Sequence, residues 1–283
     1  GGTLPLLGSG YRVGHGDTII LESCEYCNSF LSFFPTVAVI LNIEADHLDF
    51  FKDLADIRSS FHQFALLLPK DGYLILNGQI PHLEEITKGV DCQILTFGLE
   101  AFCDYHPSSI SFDEMGHPRF MLNSPQASLR EFSLQVPGVH NLYNAMAAIA
   151  LADVLSIPTQ TTAQALHEFG GTSRRFEYKG SIGGITIVDD YAHHPTEVAA
   201  TLKTAAGIPH REVWCVFQPH TYSRTKVFLK EFAQALSLAD RVVLADIYAA
   251  RETDTLGISS QDLARELQAL GTSCAYFPTF DEI

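Results

Sequence analysis

In the second half of the chain, short apolar runs alternate with amphipathic stretches, and this alternation constrains the fold more than any other feature. Residues 185–188, 213–217, 242–245 and 275–277 read as strands, and residues 195–206, 226–236 and 260–270 between them read as helices. Parallel neighbours need crossovers of this length, so the period implies an α/β fold with a doubly wound parallel sheet. The first half begins the same way. Residues 18–22 and 36–42 are β-branched runs without polar alternation, as in strands buried on both faces. Leu54, Ile57, Phe61, Phe64, Ala65 and Leu68 recur at three- and four-residue steps, which predicts an amphipathic helix ended by Pro69. Residues 73–76 and 93–97 add two strands. The stretch 101–136, with turn signals at Gly116-His117-Pro118 and Asn123-Ser124-Pro125, predicts antiparallel strands. Helices over 142–155 and 162–169 follow, and Gly170-Gly171 marks the expected boundary between a domain of residues 1–171 and one of residues 172–283.

Composition narrows the function. With 33 acidic against 18 basic residues the formal charge is -15, which argues against binding nucleic acid or an anionic membrane surface. An anionic substrate would need metal ions or a few focused arginines. No run approaches the roughly 18–20 apolar residues of a membrane span, so no membrane insertion is expected. The six cysteines are dispersed, which predicts reduced, buried thiols; Cys24 and Cys27 form one C-x-x-C with no second pair at zinc-like spacing.

Ligands of open α/β sheets bind beyond the carboxyl ends of the strands, so polar residues there carry the functional signal. Glu22 ends one predicted strand, and Asn42, Glu44, Asp46 and His47 follow the next. A carboxylate and an imidazole from neighbouring strand ends could hold a divalent ion, or the acidic residues could cap the following helix. His140, Asn141 and Asn144 precede or open the long alanine-rich helix, where amides could read a base edge or serve as N-caps. Arg174-Arg175 at the domain junction could clamp phosphate or form an interdomain salt bridge. Asp189-Asp190-Tyr191-Ala192-His193-His194-Pro195 puts two carboxylates and two imidazoles at a helix start, more than capping requires, with Pro195 suited to the first helical position. Gln218-Pro219-His220-Thr221-Tyr222-Ser223-Arg224-Thr225 again follows a strand, and Arg224 there could meet a carboxylate.

Taken in order, Glu22, Asn42-Ile43-Glu44-Ala45-Asp46-His47, Gly138-Val139-His140-Asn141-Leu142-Tyr143-Asn144-Ala145, Arg174-Arg175-Phe176-Glu177, Asp189-Asp190-Tyr191-Ala192-His193-His194-Pro195-Thr196-Glu197 and the Gln218–Thr225 segment resemble the motifs of the Mur ligases. The paired histidines followed by Gln-Pro-His resemble the alanine-adding branch. The resemblance implies a central ATPase-type α/β domain followed by a Rossmann-like C-terminal domain, in a cytoplasmic enzyme of peptidoglycan assembly. It implies that ATP phosphorylates the carboxylate of UDP-N-acetylmuramate and that the amine of L-alanine attacks the acyl phosphate, with Mg2+ neutralising charge during transfer. By motif position, Glu22 and His47 would be magnesium ligands. His140, Asn141 and Asn144 would meet the adenine, Arg175 the ATP phosphates, Asp190 would orient the nucleotide, and His220 and Arg224 would receive alanine. The motifs leave His193 and His194 without a definite role.

Three departures accompany the resemblance. Thr221 stands where some members carry an arginine, which leaves the carboxylate clamp one arm fewer. No lysine lies between Asp53 and Pro69, where most sibling ligases carry a carbamylated one. The Gly-Lys-Thr phosphate loop is absent from the chain. The expectation is a piece of a longer ligase, separated from its UDP-sugar domain and inactive alone. A ligase that attaches a tripeptide to the same sugar in recycling, and a non-catalytic binding module of the same fold, are the alternatives.

Overall fold

The structure is a computed structural model, and it describes residues 2–127 and 129–283; Gly1, with which the first expected domain begins, lies outside the described residues. The chain divides into two compact units. The first comprises the described residues of Gly1–Phe112, Pro118–Gln135 and His140–Gly170, and the second comprises Asp113–His117, Val136–Val139 and Gly171–Ile283.

In the first unit, strands β1 (Val37–Ile40), β2 (Tyr73–Asn77) and β3 (Gln93–Phe97) form a parallel sheet in that order. Helix α1 (Leu54–Ala65) joins the first two strands and the short α2 (Leu83–Thr87) the next two. β2 is central, and Leu74, Ile75 and Leu76 are all fully buried, which is why its apolar run is continuous. α1 starts at Asp53, whose side chain accepts the Asp56 N–H at 2.9 Å. Its Phe64 stacks on Phe30 with ring centroids 4.7 Å apart, from a 3₁₀ segment at Tyr26–Ser32. Strands β4 (His106–Phe112), β5 (Pro118–Asn123) and β6 (Arg130–Ser133) form the antiparallel meander that the turn signals predict. Helix α3 (Val139–Val154) buries Leu142, Ala145, Met146, Ala147, Ile149, Ala150 and Ala152, too many for one stripe, as a helix enclosed on most sides does. Helix α4 (Thr159–Glu168) packs on β6.

The second unit opens with an antiparallel hairpin of β7 (Glu177–Ile182) and β8 (Ile185–Asp189). Its two-residue loop is Gly183-Gly184, both at positive φ, as a tight turn between twisted strands requires. Helix α5 (Pro195–Gly207) follows. Parallel strands β9 (Trp214–Phe217), β10 (Arg241–Leu244) and β11 (Ser273–Tyr276) are joined by α6 (Tyr222–Val227), α7 (Leu229–Leu236) and α8 (Ser260–Ala269). β10 is central, with Val242, Val243 and Leu244 buried, and α7 packs against both α5 and α8.

Five expectations need correction. Residues 185–188 form a strand, but it pairs antiparallel with β7 in a separate hairpin and not with the parallel sheet. Residues 18–22 form no strand: Ile19 and Ile20 are 82% and 75% exposed, and no ladder among the described residues pairs with them. β-propensity makes a strand only where a neighbour accepts its hydrogen bonds. The expected helix over 226–236 is two helices meeting at Phe228, and the first already begins at Tyr222, so Arg224 is helical. Asp46 caps no helix; its Oδ1 accepts the N–H of His47 at 2.8 Å, and the cap of the next helix is Asp53. All six cysteines are free thiols, but Cys24 and Cys27 are exposed, and only Cys92 and Cys103 are buried. Among the described residues no helix is long and apolar enough to cross a membrane.

Candidate active site

The predicted site residues fall into two sets, one in each unit. In the first unit, His47 follows β1 in a left-handed backbone conformation (φ 53°), which turns its ring back onto Tyr26, centroids 4.7 Å apart. Its Nε2 lies 3.5 Å from Glu25 Oε1 and 3.9 Å from Asp46 Oδ2. Asn42 donates to Glu44 at 3.2 Å. An imidazole beside two carboxylates offers nitrogen and oxygen donors to a divalent cation, but among the described residues these atoms are not drawn into an ion-sized cluster. Glu22, by contrast, lies in the exposed segment that precedes the 3₁₀ turn. Among the described residues, the one trio of potential ligands whose atoms all lie within 4.8 Å is His82, Glu84 and Glu85, exposed and remote in sequence from the motifs.

His140, Asn141 and Asn144 occupy the first turns of α3, and three-residue spacing puts Asn141 and Asn144 on one face. They form a relay. Asn144 Nδ2 donates to Asn141 Oδ1 at 3.2 Å, and Asn141 Nδ2 lies 3.2 Å from His140 Nε2. An amide nitrogen only donates, so His140 accepts through Nε2 and carries its proton on Nδ1. Beside them, Tyr143 donates its hydroxyl to Gln79 Oε1.

In the second unit, Arg174 and Arg175 pair with carboxylates of their own unit. Arg174 Nε is 3.7 Å from Asp189 Oδ2, and Arg175 Nη1 is 3.4 Å from Glu197 Oε1. Asp190 Oδ2 accepts the N–H of Phe176 at 2.8 Å and its Oδ1 the N–H of Ala192 at 2.7 Å, which pins the backbone beside Arg175 to the loop after β8. His194 is the N-cap of α5: its ring accepts from the Thr196 N–H while Glu197 returns to the backbone of the cap, and Pro195 sits at the helix start as predicted. Arg174 lies 4.6 Å over the Tyr191 ring, Tyr191 is 5.2 Å from His193, His193 is 5.8 Å from His220, and His220 is 5.7 Å from Tyr248. This line of rings joins the paired-histidine loop to the Gln-Pro-His loop. Arg224 Nη1 lies 3.1 Å from His220 Nδ1. Arginine only donates, so His220 Nδ1 accepts the Arg224 N–H.

Burial pushes the Glu197 carboxyl up, but the N–H groups of His193 and His194 and the charges of His193 and Arg175 outweigh it, and the carboxyl is held below its usual range. A depressed folded-state pKa contributes stability that is present above the unfolded value of about 4.3 and lost as the pH falls through the folded value. The stability difference between the native chain and Glu197→Gln is therefore expected to be full near pH ~6 and to shrink on acidification towards pH ~3, read from urea midpoints. A difference that grows on acidification overturns the assignment.

Tyr248 and Glu252 were not singled out by sequence, and Tyr191 and Glu197 stood in the paired-histidine motif without a role of their own. Tyr248 and Glu252 follow β10, so the strand-end rule applied to that strand would have found them.

Two units, each built on a three-stranded parallel sheet with charged and polar side chains in the loops after its strands, define the class, a modular α/β protein. Residues 12–152 match the Mur ligase middle domain and residues 174–283 the glutamate ligase domain of Mur ligases. The chain belongs to the Mur ligase family. It is 51% identical over 284 residues to the UDP-N-acetylmuramate–L-alanine ligase of Lachnospira eligens, a match covering 100% of this chain and 62% of that protein. The crystal structure of UDP-N-acetylmuramate–alanine ligase from Thermotoga maritima superposes with a TM-score of 0.70 at 27% identity, covering 90% of this chain and 54% of that one. A murein peptide ligase of Psychrobacter arcticus gives 0.61 at 26% identity, covering 90% and 52%. The chain thus spans under two thirds of the length of the relatives it matches.

Proposed function

We propose that the complete protein joins L-alanine to UDP-N-acetylmuramate at the expense of ATP. The observation that carries this reading is the pair of His220, in the loop after β9, and Arg224, on α6, in a chain matched end to end by an alanine ligase. A guanidinium and an imidazole side by side suit the carboxylate of a small amino acid. The muramoyl carboxylate takes the γ-phosphoryl group of ATP, and ADP leaves. The amine then attacks the acyl carbon and gives up a proton, the tetrahedral adduct collapses, and the C–O bond to phosphate breaks, leaving an amide and inorganic phosphate.

The side chains divide this work. Asn141 and Asn144, aligned by their mutual bond, present donors and acceptors to the adenine edge, with His140 fixing the relay. Arg175 meets the phosphates, and Asp190 orients the nucleotide by holding the backbone beside that arginine. Glu22 and His47 would each hold a different Mg2+, and the two ions would supply charge neutralisation at the transferring phosphoryl group. His194 has a structural task, the cap of α5, and His193 links the two histidine loops.

The test uses the complete protein with ATP, Mg2+ and UDP-N-acetylmuramate. Phosphate release is expected with L-alanine and not with the tripeptide that a recycling ligase would use. Release with the tripeptide alone supports the recycling reading, and no release with either supports a binding module.

A further inference from the structure

Glu252 lies in the loop after β10, yet its carboxylate is engaged with the start of α6. Its Oε2 accepts the N–H of Tyr222 at 2.5 Å and that of Ser223 at 3.1 Å, and its Oε1 accepts the Ser223 hydroxyl. A helix start leaves its first N–H groups without partners inside the helix. At α6, Thr221 Oγ1 serves the N–H of Arg224 at 3.4 Å, and Glu252 serves the two before it. A negative charge there also suits the positive end of the helix.

The same loop is tied to the Gln-Pro-His segment by its backbone. Thr221 N–H donates to Tyr248 O and Tyr248 N–H to Pro219 O, both at 2.9 Å, and Gln218 Nε2 donates to Asp246 O at 3.1 Å. These bonds enclose Thr221, which sits at φ 66° and ψ 146°, a conformation costly to a residue with a Cβ unless its surroundings hold it. Tyr222 and Ser223, the residues Glu252 grips, are the two between that strained corner and Arg224. His220 is on the other side of the corner. The direction in which Arg224 and His220 project therefore depends on an anchor outside their own segment.

We propose that Glu252 is a positioning residue of the amino-acid subsite: it does not touch the amino acid, but fixes the corner that aims Arg224 and His220 at its carboxylate. Thr221 stands at the place of a second arginine, so the aim of the one remaining guanidinium carries more of the binding. The proposal rests on the ligase reading above.

The experiment uses the complete protein, with steady-state KM for L-alanine, ATP and UDP-N-acetylmuramate measured for Glu252→Ala, Glu252→Gln and, as reference, Arg224→Ala. Glu252→Ala is expected to raise KM for L-alanine about tenfold or more while the other two stay within about twofold and the melting temperature holds. Glu252→Gln, which keeps one acceptor oxygen, is expected to recover part of the loss, and it carries the comparison if the alanine variant does not fold. An unchanged KM for L-alanine, or a parallel rise of all three with a lowered melting temperature, overturns the proposal. Arg224→Ala separates the two readings. If it too leaves the L-alanine KM unchanged, the subsite itself is misplaced; if it raises that KM and the Glu252 variants do not, only the positioning role falls.

Discussion

Arg224→Ala in the complete protein is expected to lower kcat/KM for L-alanine by about 100- to 1,000-fold. A charge-assisted bidentate contact is worth about 3–4 kcal/mol when its partner is left in place, and each 1.36 kcal/mol is a factor of ten. The loss falls on one side chain because Thr221 directs its hydroxyl at the N–H of Arg224 and supplies no second cation. His220 loses at the same time the donor that fixes its tautomer. Arg224→Lys should recover only part of the rate, since an ammonium keeps the charge and not the planar fork. A kcat/KM for Arg224→Ala within threefold of the native value would remove Arg224 from the subsite.

The largest effect on stability is expected at Asp153, far from any motif. Arg130 on β6 makes a two-pronged pair with it, Nη1 to Oδ1 at 2.8 Å and Nη2 to Oδ2 at 2.6 Å, with side chains 9% and 6% exposed. Further bonds to Ser124 and Thr159 spread the guanidinium over the meander and α4, while its buried Nε has no hydrogen-bond partner among the described residues. Asp153→Ala strands this cation in the interior at a cost of about 3–5 kcal/mol, a large part of the roughly 5–15 kcal/mol that holds a domain folded. The double change Arg130→Met with Asp153→Leu should restore most of that loss, because an apolar pair incurs no desolvation penalty. The urea midpoint reads both. A single variant as stable as the double one would show that the pair is not the staple it looks like. The neighbouring Tyr105 phenol, pushed well up by its burial and then by the Asp153 charge, reports on the same cluster.

The parallel frame was legible because β2 and β10 are central strands, and only a strand covered on both faces has an unbroken apolar run. The run at residues 18–21 has the same composition and no partner strand, a distinction that one-dimensional pattern cannot draw. The hairpin of β7 and β8 was missed although Gly183-Gly184 announces it, since Glu177–Ile182 has too few apolar residues to read as a strand by periodicity. At the site, the strand-end rule led to Asp190 and His220, which lie in loops after strands, and to Arg224, which lies on the helix that follows such a loop. It could not reveal that Glu252 reaches about thirty residues back along the chain, because a long-range hydrogen bond leaves no trace in local spacing.

The strands of each three-stranded parallel sheet run the same way, and His47, His220, Tyr248 and Glu252 all lie in loops that leave those strands at their carboxyl ends. Leu74 to Leu76 in one unit and Val242 to Leu244 in the other are buried within the sheets, away from the loops of their own unit. Selection can therefore act on substrate choice and on folding through almost separate sets of positions. A lineage could exchange one amino acid for another in these loops, one loop at a time, while inheriting the sheet unchanged.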